Sequence, residues 1–93
     1  MMKEPILEVI GTVKGSILQI MPEINFGAIW DKKNKREVYF SIVTEFTNTS
    51  YSELNEGDIV EVLVVKTPRG LFAKNLSLKE ARSPQEPEVT TSL

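Results

Sequence analysis

Along much of the chain apolar and polar residues alternate with the two-residue period of half-buried strands. Residues 6–18 are rich in β-branched side chains and are broken by Gly11 and Gly15, a pattern that predicts a long first strand bending at a barrel corner. Pro22 cannot donate to a ladder, so 19–23 is expected to be a loop. Residues 24–30 and 37–43 predict a second and a third strand. The tip Asp31-Lys32-Lys33-Asn34-Lys35-Arg36 would join them as a flexible, basic hairpin connection. Residues 44–56 mix Thr, Asn, Ser and Glu with Phe46, Tyr51 and Leu54; this is too irregular for a long helix and is read as a structured loop. Asn55-Glu56-Gly57-Asp58 is turn chemistry. Val60, Val62 and Val64 then share one face of a fourth strand over 59–66, and Thr67-Pro68-Arg69-Gly70 turns the chain into a fifth over 71–78.

Short strands punctuated by Gly and Pro predict an all-β fold, a five-stranded antiparallel barrel of the OB type spanning 6–78. Alternation assigns Val38, Phe40 and Ile42 to its core, against Tyr39 and Ser41. Leu71, Phe72 and Leu76 are also expected inside, where large apolar side chains normally go. From Lys79 on the composition changes to Ser83-Pro84, Glu86-Pro87 and Thr90-Thr91-Ser92. Such a segment cannot bury enough surface to offset its chain entropy, so 79–93 is expected to be a disordered, flexible tail.

A chain of 93 residues has room for one domain. It has no cysteine and no histidine, which removes disulfides, thiolate metal sites and the commonest general base near neutral pH. The expectation is therefore a protein that is not an enzyme and that carries no cofactor, no metal and no catalytic residue. The start, Met1-Met2-Lys3-Glu4-Pro5-Ile6, lacks the apolar stretch of a secretory signal, and no apolar run approaches the ~20 residues of a membrane span, so a cytoplasmic protein with no membrane partner is expected. The net charge of −2 argues against a basic footprint overall. Local charge matters more for backbone contact, and Lys32, Lys33, Lys35 and Arg36 fall close together while the acids are spread along the chain.

Five segments, spread from about Val9 to Leu78, carry a likeness. Gly11-Thr12-Val13-Lys14 opens it; Asn25-Phe26-Gly27-Ala28-Ile29 and Val38-Tyr39-Phe40-Ser41 follow; Tyr51-Ser52-Glu53-Leu54-Asn55-Glu56-Gly57-Asp58-Ile59-Val60-Glu61-Val62 and Arg69-Gly70-Leu71-Phe72-Ala73-Lys74-Asn75-Leu76 close it. In order and spacing they resemble the cold-shock domain, with its Gly-x-Val-Lys strand, two aromatic strands and Arg-Gly-x-x-Ala-x-Asn closing hairpin. The sequence departs from that pattern where Gly15 and Ser16 replace an aromatic pair, where Ala28 replaces a second ring, and where Ser41 takes the family's histidine position.

The resemblance implies a single-stranded RNA- or DNA-binding module that works without catalysis, as a chaperone or regulator. Phe26 and Tyr39 retain matching stacking positions. Alternation puts Trp30 on the side of Phe26 and Ala28, so Trp30 is expected to supply the ring that Ala28 lacks. Every base has a π-face, and stacking on an exposed ring is worth ~1–3 kcal/mol per base. Lys14, Lys32, Lys33, Lys35, Arg36, Arg69 and Lys74 would contact phosphates. Ser41 lies on the same implied face, and Tyr51 either joins it or pegs the long loop. The alternative is a barrel that has lost most of this face and serves as a protein-interaction module or inhibitor, with a protein as its partner. Either form would be a monomer or a weak homodimer.

Overall fold

The computed structural model describes residues 5–81. Most of the expected tail, 82–93, therefore lies outside the described residues. Six strands are present among the described residues: β1 (Glu8–Met21), β2 (Phe26–Asp31), β3 (Arg36–Ser41), β4 (Glu45–Phe46), β5 (Ile59–Thr67) and β6 (Gly70–Glu80). They form one sheet in the order β3-β2-β1-β5-β6-β4, and a contact between β3 and β6 closes five of them into a barrel consistent with an OB-like fold. The two-residue β4 lies outside the ring, against β6.

The pairing is mixed rather than antiparallel throughout. Strand directions cannot alternate all the way round a closed ring of five, so one neighbouring pair has to be parallel. That pair is β3 and β6, which meet at Tyr39 and Phe72.

β1 reaches into the expected loop as far as Met21, and two bulges let it follow the curve of the barrel. Ile10 is extra between the pairs Val9↔Val65 and Gly11↔Val64, and Leu18 is extra between Ile17↔Ile29 and Gln19↔Ala28. Gly11 takes φ +137 at the first bulge, a conformation that side chains disfavour. Gly15 serves differently: a Cβ there would stand 2.5 Å from the carbonyl oxygen of Trp30, so it permits the close approach of β1 and β2. A 3₁₀ turn, Pro22–Ile24, then connects to β2, with Asn25 in the left-handed region and its N–H donating to the Pro22 carbonyl at 3.1 Å. Ile24 and Asn25, expected in the second strand, belong to this turn.

The basic tip is a turn built on the carboxylate of Asp31. Asp31 is fully buried, and its carboxylate accepts from the Asn34 backbone N–H (3.3 Å), the Asn34 Nδ2 (2.8 Å) and the Arg36 Nε (2.9 Å). Lys35 supplies the positive φ that closes it.

The core gathers Ile17, Ile29, Val38, Phe40, Val60, Val62, Val64, Ala73 and Leu76, and Leu54 plugs it from the 44–56 segment. Two expected core residues lie elsewhere. Ile42 is 52% exposed because β3 stops at Ser41, where the Thr44 N–H donates to the Ser41 carbonyl (3.0 Å) and the Thr44 hydroxyl accepts from the Ser41 N–H (3.1 Å). Phe72 is half-buried on the outer face, because Lys74 is extra between the pairs Leu63↔Asn75 and Val64↔Ala73. That bulge places both Ala73 and Leu76 inside and leaves Phe72 outside. β6 continues to Glu80, where Lys79 pairs with Glu61 at 3.3 Å, so the strand takes in the first two residues of the expected tail.

Candidate functional site

The outer face of β2, β3 and β6 carries three half-buried rings. Phe26 stacks on Tyr39 with centroids 5.5 Å apart and planes 25° from parallel. Phe72 meets Phe26 edge-on at 6.0 Å and Tyr39 at 5.9 Å. Strand register explains the cluster: Ala28 is paired with Tyr39, and Tyr39 is paired in turn with Phe72, so the three residues form one row across the sheet. Ala28 is buried in that row. The third ring that the sequence lacks at position 28 therefore comes from β6, and Phe72 is the site residue that sequence reasoning missed. Two adjacent polar residues, Lys74 and Asn75, were the available signal, since neither belongs in a core and strict alternation would bury one of the two.

Trp30 does share the outward side of β2 with Phe26, as expected, but it is not part of the ring cluster. It stands one row away, half-buried between Ser16 of β1 and Glu37 of β3. Glu37 is exposed and accepts a hydrogen bond from the Tyr39 hydroxyl at 2.8 Å. That bond, the carboxylate's negative charge and partial burial all favour the neutral phenol, so the Tyr39 hydroxyl ionises above its ordinary range.

Cations stand at both ends of this face. Lys32, Lys33 and Lys35 are exposed on the hairpin turn. Continuing the β1–β2 register two residues beyond Ser16↔Trp30 puts exposed Lys14 level with Lys32. Lys74, exposed on its bulge, lies two residues from Phe72. Arg36 is different, because its guanidinium is bound to the buried Asp31. Burial opposes ionisation of Asp31, but the hydrogen bonds from Asn34 and the hydrogen bond and charge of Arg36 outweigh it and hold the carboxyl below its ordinary value. Arg36 thus orders the turn that presents the lysines.

The remaining expected residues divide. Ser41 is paired with Phe26 at the far end of the face, and its hydroxyl accepts from the Val43 N–H at 3.3 Å. Tyr51 pegs the loop: its ring lies 5.9 Å from Phe40 and its hydroxyl donates to the Phe26 carbonyl at 2.7 Å. It supports β2 from behind and adds no ring to the outer face. Arg69 lies in the β5–β6 turn, where its N–H donates to the Thr67 hydroxyl at 3.1 Å.

Among the described residues no helix is long and apolar enough to cross a membrane, and no group of acidic side chains is placed to hold a metal ion. No protein-family model matches the chain, and no curated protein matches it.

Proposed function

We propose that the protein holds single-stranded nucleic acid on the outer face of β2, β3 and β6, in the manner of a cold-shock domain and without catalysis. The observation that carries this reading is the aromatic cluster of Phe26, Tyr39 and Phe72, which faces outward in a barrel whose core is already filled. Large rings left half-exposed beside one another lose apolar burial that the interior would have supplied, so a ligand with flat faces is their natural complement. Trp30 adds a ring one row away, on the side of Lys14, Lys32, Lys33 and Lys35, and Lys74 flanks the cluster on the other side. Bases would stack on the rings and phosphates would lie against the lysines, giving affinity with little dependence on sequence from the backbone contacts.

Titration of the single tryptophan, Trp30, with oligo-dT and oligo-U tests this directly. Fluorescence quenching that saturates at low salt is the expected result. Affinity should fall as salt rises, and neutralising Lys32, Lys33 and Lys35 together should reduce the slope of log affinity against log salt by about 2, since each phosphate contact on a single strand contributes ~0.7. Absence of binding to either oligonucleotide at low salt overturns the proposal.

A second reading, a barrel that binds a protein instead, has its own observation. Ile24, Ile42 and Val43 are 62%, 52% and 77% exposed, and the Ile42 N–H donates to the Asn25 carbonyl, so these side chains flank one end of the β2–β3 hairpin beside Phe26. Apolar side chains exposed together mark interaction surfaces. The oligonucleotide titration separates the two readings.

A further inference from the structure

Glu37 is out of place on a surface meant only for phosphates. It stands opposite Trp30 in the β2–β3 register and two residues from Tyr39 on the same side of β3, so a carboxylate projects between two of the rings. Its oxygen Oε1 is held by the Tyr39 hydroxyl at 2.8 Å, and among the described residues no Lys or Arg pairs with it. An ionised carboxylate offers about four acceptor sites and no donor, and one hydrogen bond leaves most of them open. Such a group repels a phosphate but accepts readily from N–H groups on the edge of a base.

We infer that Glu37, positioned by Tyr39, reads the Watson–Crick edge of a guanine stacked on the Trp30–Tyr39 part of the face. This rests on the nucleic-acid reading above and adds a base preference to it. The edges of the four bases differ in their donors. Guanine presents two neighbouring donors, N1–H and the N2 amine, which match the two oxygens of a carboxylate. Adenine and cytosine each set one amine beside an acceptor nitrogen, and thymine or uracil flanks its single N–H with two carbonyl oxygens. Only guanine therefore meets Glu37 without bringing an acceptor against the carboxylate. Single strands are read in this way because their bases are splayed with these edges free. The Tyr39 hydroxyl contributes by fixing the carboxylate before the base arrives, which reduces the freedom lost on binding.

The test compares a nine-nucleotide oligo-dT with the same strand carrying one central dG, by Trp30 fluorescence at low salt. A single guanine cannot assemble intrastrand structures that would confuse the comparison. A good bidentate contact discriminates by roughly 5- to 150-fold, and at this exposed position a preference of about 5- to 10-fold for the dG strand is expected. Replacing the central base by inosine, which lacks the N2 amine, should forfeit most of that preference. Glu37→Gln puts a donor where an acceptor stood and should bring the dT and dG strands to within about twofold of each other. Equal binding of the two strands by the wild-type protein, or a preference that survives Glu37→Gln, overturns the guanine assignment and leaves the nucleic-acid reading standing. Failure to bind either strand overturns that reading itself.

Discussion

The two faces of the β2–β3 hairpin carry similar side chains and put them to opposite uses. Inward, Ile29, Val38 and Phe40 are fully buried, enclosed by β1, β5 and β6. Outward, Phe26, Trp30 and Tyr39 come from the same strands but are only half-buried: Phe26 and Tyr39 lie against each other and Phe72, and Trp30 stands between Ser16 and Glu37. Residue type does not separate the two sets, since each contains phenylalanine. What separates them is the strand period, which sends neighbours to opposite sides, together with a closed ring that has room for one side only. Gly27 marks how full that side is: a Cβ there would fall 2.3 Å from the Phe40 ring.

Substitutions on the two faces should therefore fail in different ways, and the inward ones most severely. Phe40→Ala empties the centre of the barrel and is expected to cost ~3–5 kcal/mol of stability in denaturant unfolding. Gly27→Ala forces a methyl group into the same ring and should cost ~1–3 kcal/mol or more, as overpacking does. Phe26→Ala and Tyr39→Ala should instead remove ~1–3 kcal/mol of oligonucleotide affinity each. Because these rings touch, each should also cost ~1 kcal/mol of stability, in line with the worth of an aromatic pair. If Phe26→Ala destabilised the fold as much as Phe40→Ala, the outward face would be a second core and the contrast would collapse.

At the hairpin turn a buried charge supports an exposed one. Asp31→Ala strands the Arg36 guanidinium and the Asn34 amide and should cost ~1.5–3 kcal/mol, the range for hydrogen bonds to charged groups. The pH dependence has a definite sign. The folded-state pKa of Asp31 lies below its unfolded value, so its contribution is present in full above about pH 4 and is lost as pH falls through the folded pKa. Acid unfolding of wild type and Asp31→Asn should accordingly converge at low pH. A constant gap between them down to the most acid conditions would mean that the carboxylate's ionisation contributes nothing.

How much of this was legible in the sequence depends on where the chain keeps strict alternation. Where it does, as at Val60, Val62 and Val64 or at Val38 and Phe40, the inward residues follow directly from the period. The barrel and the outward placing of Phe26 and Tyr39 were legible for that reason, as was the turn at Pro68 and Arg69. Phe72 was not, because the bulge at Lys74 reverses which residues of β6 face inward, and a bulge is decided by the curvature of the whole barrel. Ile42 was misplaced because a turn closed by Ser41 and Thr44 side chains ends β3 before it. Arg36 looked like one more phosphate contact, and only the burial of Asp31 reveals it as a support. The Glu37–Tyr39 pair was within reach, since residues two apart on a strand share a face.

The smallest effect concerns that pair. Tyr39 ionises above its ordinary range because its hydroxyl donates to Glu37, because the carboxylate's charge opposes a phenolate, and because it is partly buried. A raised pKa means that the contribution to stability is complete below the unfolded value near pH 10 and is lost as pH rises through the folded value. Glu37→Gln keeps an oxygen able to accept the hydroxyl but removes the charge, so the Tyr39 titration should move down toward the ordinary range. Tyrosinate absorbance in a Tyr51→Phe background isolates the single remaining tyrosine. Identical titrations with and without the Glu37 charge would show that the two groups do not act together in solution, and the proposed reading of guanine by Glu37 would lose the positioning assigned to Tyr39.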